Sequence, residues 1–171
     1  LSTGNAVLIQ ANNVTIDCNH FKIGGLAAGD GTSTIGIRAI NRRNVTVRNC
    51  NIRGFRTAIR LTGGGALVED NRLDHNTFAG IWVAGDGNRV QRNAVFETGG
   101  VPTGSWAVGI TGQADVIDNV IDGVTATGTN RGAIGILTAD GSGQVVRGNR
   151  VRGLVATGVA LAIAIEPGTD D

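Results

Sequence analysis

One set of residues returns in fixed register along the whole chain, and it constrains the fold more than any other feature. Asparagine falls at Asn19, Asn71, Asn93, Asn119 and Asn149, with Cys50 in the same register, at spacings of 31, 21, 22, 26 and 30 residues. Three residues earlier stand Ile16, Val47, Val68, Val90, Val116 and Val146. Two residues later stand Phe21, Ile52, Leu73, Val95, Ile121 and Val151. A second anchor reads Val7, Ile37, Ile59, Ile81, Ile110, Ile136 and Ile163, each preceded by glycine or alanine. A period near 22 residues with three short alternating segments describes one turn of a coil built from three strands. Side chains alternate across a strand, so one column of each segment faces inward. Strands on successive turns lie about 4.8 Å apart, and like residues stack on like. The parallel crossover rule makes the coil right-handed. Composition agrees: 28 of 171 residues are glycine without a Gly-X-Y period, only two are proline, and 18 Val plus 16 Ile supply strand formers. At 41% hydrophobic and 17% charged, the chain is too apolar for disorder.

The expected fold is therefore all-β: a single-stranded right-handed parallel solenoid of six full rungs plus a partial seventh, three strands per rung, under about 10% helix, one domain over 1–171. Stacked Asn71, Asn93 and Asn119 are expected to be buried and to bond each other's amides or the turn backbone at one bend. The segments Asn13-Val-Thr-Ile-Asp-Cys-Asn-His, Asn44-Val-Thr-Val-Arg-Asn-Cys-Asn-Ile and Gly80-Ile-Trp-Val resemble the right-handed parallel β-helix family, the pectate-lyase-like superfamily. The resemblance covers essentially the whole chain. It implies the fold, and its members include lyases, hydrolases, epimerases and non-catalytic spikes, so it assigns no single activity.

Residues beyond the minimal rung fall at one corner, between a third strand and the next first strand: 24–34, 97–107, 124–132 and, shorter, 154–160. They should wall the face of the first strands, where the family resemblance implies a polysaccharide groove. The outward column of that face reads Leu8, Arg38, Arg60, Trp82, Thr111 and Leu137. Arg38, Arg60 and Trp82 should stand in line on consecutive rungs, with Arg42 and Arg43 at the adjacent corner and Trp106 and Arg131 in the walling loops. Paired guanidinium groups match the carboxylates of an acidic sugar, and an indole offers a flat apolar face to a sugar ring. The bland alternative is a solvated Arg pair screened by Asp86 or a loop carboxylate. A second cluster comes from the third strands: His75 should neighbour Glu97, as a general acid/base pair or, more commonly, a surface ion pair. Arg53 should pair with Asp74.

The motifs of the family's galacturonan hydrolases, calcium-dependent lyases and alginate epimerases are absent from the sequence. Gly85-Asp-Gly and Gly141-Ser-Gly precede no helix, so phosphate binding is unsupported. No cofactor or metal is expected; Cys18, His20 and Cys50 make a poor zinc set. Cys18 and Cys50 lie within disulfide reach, but adjacent residues usually point to opposite sides, so buried free thiols are the expectation. Asn13-Val-Thr and Asn44-Val-Thr match the glycosylation pattern and also follow from the repeat. A net charge of +1 provides no field for nucleic acid or membrane, and no apolar run is long enough to span a bilayer. The leading expectation is an extracellular or periplasmic protein that binds an acidic polysaccharide, leaning away from an enzyme. A lyase, hydrolase or epimerase with an unconventional site and a structural spike are the competitors. Neither end shows a capping helix, so the chain is either an excerpt of a longer one or self-associates through its ends; 166–171, with a proline and three acids, is expected to blunt one end.

Overall fold

The computed structural model describes residues 3–101, 106–138 and 143–165. Twenty short strands and one three-residue 3-10 helix, Leu26–Ala28, account for its regular structure. The strands form three parallel sheets that run the length of a solenoid. The first sheet stacks Asn5–Ile9, Ile35–Ala39, Thr57–Thr62, Ala79–Ala84, Ala107–Gly112, Ala133–Thr138 and Ala160–Ile165. The second stacks Thr15–Asp17, Thr46–Arg48, Leu67–Glu69, Arg89–Gln91, Asp115–Ile117 and Val146–Arg147. The third stacks Lys22–Gly24, Asn51–Arg53, Arg72–Asp74, Ala94–Gly99, Val120–Ala126 and Arg150–Arg152, with Val155–Ala156 added against the fifth of these. Six full rungs and the first strand of a seventh result, as the repeat predicts.

The inward columns make the core. Ile37 pairs with Ile59, Ile59 with Ile81, Ile81 with Ile110 and Ile110 with Ile136; all five are fully buried or nearly so. Val47, Val68, Val90 and Val116 line the second sheet's inner face, and Ile52, Leu73, Val95 and Ile121 the third's. The small residue before each isoleucine also points inward, at the corner where the third sheet meets the first. A Cβ on Gly80 would lie 2.6 Å from the Gly109 carbonyl oxygen and 2.7 Å from a Val95 methyl. Close approach, not backbone conformation, thus keeps this column to glycine and alanine.

The asparagine ladder forms at the second corner. Nδ2 of Asn71 donates to Oδ1 of Asn93 (3.0 Å), Nδ2 of Asn93 to Oδ1 of Asn119 (3.1 Å), and Nδ2 of Asn119 to Oδ1 of Asn149 (2.9 Å). Each Nδ2 also donates to a carbonyl on the rung below: Val47, Val68 and Val90 in turn. Asn71, Asn93 and Asn119 are buried. Oδ1 of Asn71 accepts the backbone N–H of Cys50, which ends the ladder.

The first rung departs from the expected register. Lys22 pairs with Asn51, Ile23 with Ile52 and Gly24 with Arg53, so Ile23, not Phe21, holds the inward column. The second corner of this rung spends four residues, 18–21, where the rung above spends two. Asn19 and His20 take the extra length in left-handed backbone, at φ 45° and 64°. Asn19 therefore leaves the ladder, its N–H bonding Oδ1 of Asp17, and Phe21 is 73% exposed.

The same turn overturns the expectation of free thiols. Cys18 and Cys50 form a disulfide, with their Cα atoms 4.7 Å apart. Strand alternation does not extend through a turn, so the two side chains meet although they sit one position apart in register.

Candidate ligand-binding face

The seven strands of the first sheet contain no Asp, Glu or Lys; Arg38 and Arg60 are their only charged residues. Both belong to the outward column, and the structure places that column as the spacing predicts. Arg38 pairs with Arg60, Arg60 with Trp82, Trp82 with Thr111 and Thr111 with Leu137. All five side chains are half-buried. Towards the third sheet, the neighbouring positions Thr57, Ala79, Val108 and Ile134 are buried. The insertions lie at that corner, as expected, and the accessible surface narrows to a strip along the solenoid axis.

Neither Arg38 nor Arg60 meets a carboxylate among the described residues, and the Nε of each is buried without a hydrogen-bond partner. The arginines that do form ion pairs lie elsewhere. Arg48 bonds Asp17, Arg89 bonds Asp115, Arg92 bonds Glu69 and Asp70, Arg152 bonds Asp122, and Arg53 approaches Asp74 at 3.8 Å, the last as expected. These pairs belong to the second and third sheets and the corner between them.

Arg60 lies over Trp82, its guanidinium carbon 4.2 Å from the ring centroid. The contact holds the cation against the face of the indole. A second such pair adjoins it: Arg56 stacks on Phe78 at 4.3 Å, and the rings of Phe78 and Trp82 are 6.3 Å apart. Burial, and then the charges of Arg38 and Arg56, hold the Arg60 guanidinium below its ordinary pKa. Arg56 and Phe78 were not among the residues expected to contribute. Each stands three residues before an inward isoleucine, Ile59 and Ile81, and that shared offset is the signal they leave in the sequence.

The remaining candidates flank the strip. Arg42 and Arg43 turn the opposite corner; Nη1 of Arg42 bonds the Asn41 carbonyl, and the backbone N–H of Arg43 bonds Oδ1 of Asn12. Trp106 is 41% exposed and its ring lies over Gly132, where a Cβ would come within 2.3 Å of it. Arg131 is exposed in the next loop, its backbone tied to Gly128 and Gly158. The fold thus assembles Arg38, Arg60 and Trp82 directly and sets Arg42 and Arg43 on one margin, Trp106 and Arg131 on the other. Residues 102–105, within the first of these loops, lie outside the described residues, as do Ala139, Gly141, Ser142 and 166–171.

His75 and Glu97 occupy successive rungs where the third sheet turns towards the first, with Nε2 of His75 2.9 Å from Oε2 of Glu97. Nδ1 of His75 faces Oδ2 of Asp74 at 3.4 Å. Both residues are left-handed, at φ 54° and 47°, in a column otherwise filled by Gly54, Gly123 and Gly153. The imidazole therefore turns one nitrogen to Glu97 and the other to Asp74. Among the described residues no three His, Cys, Asp or Glu side chains gather as metal ligands, and no helix is long and apolar enough to cross a membrane. A polar cavity of about 580 Å³ at the corner between the first and second sheets is lined by Asp86, Arg89, Gln113, Asp115 and Gln144, but its arginine is already paired with Asp115.

Residues 35–164 match the family model described as a right handed beta helix region. No curated protein and no solved structure matches the chain.

Proposed function

The chain belongs to the right-handed β-helix family, and from that premise we propose that it binds an acidic polysaccharide along the first-sheet strip without cleaving it. One observation carries the reading: the only charges on the first sheet are two arginines on adjacent rungs, beside an indole, with no carboxylate partner among the described residues. Two like charges one rung apart repel by about 1 kcal/mol in water and by several-fold more where half-buried. The other sheets relieve such charges with Asp or Glu. An incoming anion relieves them here, through the paired N–H edges that guanidinium presents to oxygen acceptors. Trp82 supplies the flat apolar contact for a sugar ring, and Arg42, Arg43, Trp106 and Arg131 flank the strip on its two margins.

Two further observations support this reading over its rivals. The His75–Glu97 pair lies where the third sheet turns towards the first, away from the Arg38–Arg60–Trp82 column, and as an exposed contact it fits a surface ion pair. The Cys18–Cys50 bond supports an oxidising location outside the cytosol.

The test is incubation with a panel of uronic-acid polymers and neutral glucans. Retention without product is the expected result. A rise in absorbance from unsaturated ends would identify a lyase, new reducing ends a hydrolase, and no retention a scaffold. Arg60→Ala should weaken the acidic polymers by roughly tenfold, the loss of one charge-assisted contact, and leave neutral ones unchanged. Affinity should fall with added salt, because the contacts are half-exposed.

A further inference from the structure

The strip holds more positive charge than its two column arginines. Arg56 enters from the corner, stacked on Phe78 next to the Arg60–Trp82 pair, and its charge acts on Arg60 together with that of Arg38. Arg56, like the other two, meets no carboxylate among the described residues. Three guanidinium groups therefore share a patch that spans two rungs, about 5 Å along the axis. Two of them, Arg56 and Arg60, lie over aromatic rings.

Each sugar of a uronic-acid polymer brings one carboxylate, planar and with two acceptor oxygens. Three unneutralised guanidinium groups within one or two sugar lengths exceed that supply. A sulfate ester presents three outward oxygens in a tetrahedral array, and one sugar can carry more than one such ester. Arginine suits such oxyanions because its planar fork donates two parallel hydrogen bonds. We infer that the acidic polysaccharide of this site is a sulfated one, with Arg56 as the residue that selects sulfate esters over uronate carboxylates. The inference rests on the binding reading above and deepens it. Arg38 and Arg60 share one column and suit either kind of anion, whereas Arg56 lies to the side of that column, towards the corner, where a second anionic group carried by a sugar would meet it.

The experiment compares binding of dextran sulfate, polygalacturonate and unmodified dextran to the full chain and to Arg56→Gln and Arg60→Ala, with circular dichroism to establish that each variant is folded. Dextran sulfate should bind at least tenfold more tightly than polygalacturonate at equal ionic strength. Arg56→Gln should weaken dextran sulfate at least fivefold more than it weakens polygalacturonate, and so remove most of that preference. Arg60→Ala should weaken both. Equal or tighter binding of polygalacturonate, or an Arg56→Gln variant that keeps the sulfate preference, overturns the inference and leaves the acidic-polysaccharide reading standing. Failure of both charged polymers to bind better than dextran overturns that reading itself.

Discussion

Asn93 shows how much one side chain does in this molecule. Its Nδ2 donates to Oδ1 of Asn119 and to the Val68 and Gln91 carbonyls, while its Oδ1 accepts both the backbone N–H and Nδ2 of Asn71. All of this happens in the buried interior, where an unpaired amide or carbonyl retains its full desolvation penalty. Asn93→Ala should therefore cost about 1–3 kcal/mol in urea unfolding, and a loss below a few tenths would mean the ladder contributes little. Asp70, at the same corner, acts through charge. The side-chain bond from Arg92 holds its carboxyl below the usual carboxylate value, helped by the Arg92 and His20 charges and opposed by burial. A depressed folded pKa gives stability that is fully present above the unfolded value, near 4, and is lost as pH falls through the lower folded value. The urea midpoint should accordingly drop as pH falls below about 4. Asp70→Asn, which keeps a residue tolerant of the φ of 55° there, should start lower at neutral pH and decline less in acid.

At the scale of strands and corners, legibility follows from stacking. A residue in the middle of a strand repeats the environment of its neighbours above and below, so Ile59, Val68 and Asn93 each reveal a column that the structure reproduces. The Arg38–Arg60–Trp82 line was legible for the same reason, and so were the His75–Glu97 and Arg53–Asp74 contacts. Corners lack this redundancy. The first rung's second corner is two residues longer than the next, and because Phe21 and Ile23 are both apolar, the pattern reads equally well in either register. The disulfide was hidden by the same turn, since alternation says nothing about side-chain direction once the chain bends. Arg56 and Phe78 were missed because they stand at a corner, outside the alternating segments, where only their equal distance from Ile59 and Ile81 relates them. Corners are also where rungs can lengthen without disturbing the core, which is why what distinguishes this solenoid from a bare repeat gathers there.

Across the whole molecule, each rung touches only its neighbours, so stability is a sum of rung and interface contributions and need not be lost all at once. The two ends differ. In the last two strands and the turn between them Val155, Val159, Ile163 and Ile165 are exposed, and the inward column has no further rung above it among the described residues. In the first rung the asparagine ladder is already over at Cys50, and the Cys18–Cys50 bond takes its place as the link between rungs. Closing a chain segment of 32 residues contributes about 3–4 kcal/mol in the chain-entropy account. In a nearest-neighbour solenoid that contribution belongs to the first two rungs. Reduction of the disulfide should therefore speed amide exchange in Asn5–Ile9, Thr15–Asp17 and Lys22–Gly24 while Ala79–Ala84 and Ala107–Gly112 keep their protection. The paired variant Cys18→Ser with Cys50→Ser should show the same pattern without reductant. If protection instead falls to the same extent in the central strands, the rungs unfold as one unit, and the covalent link stabilises the entire solenoid.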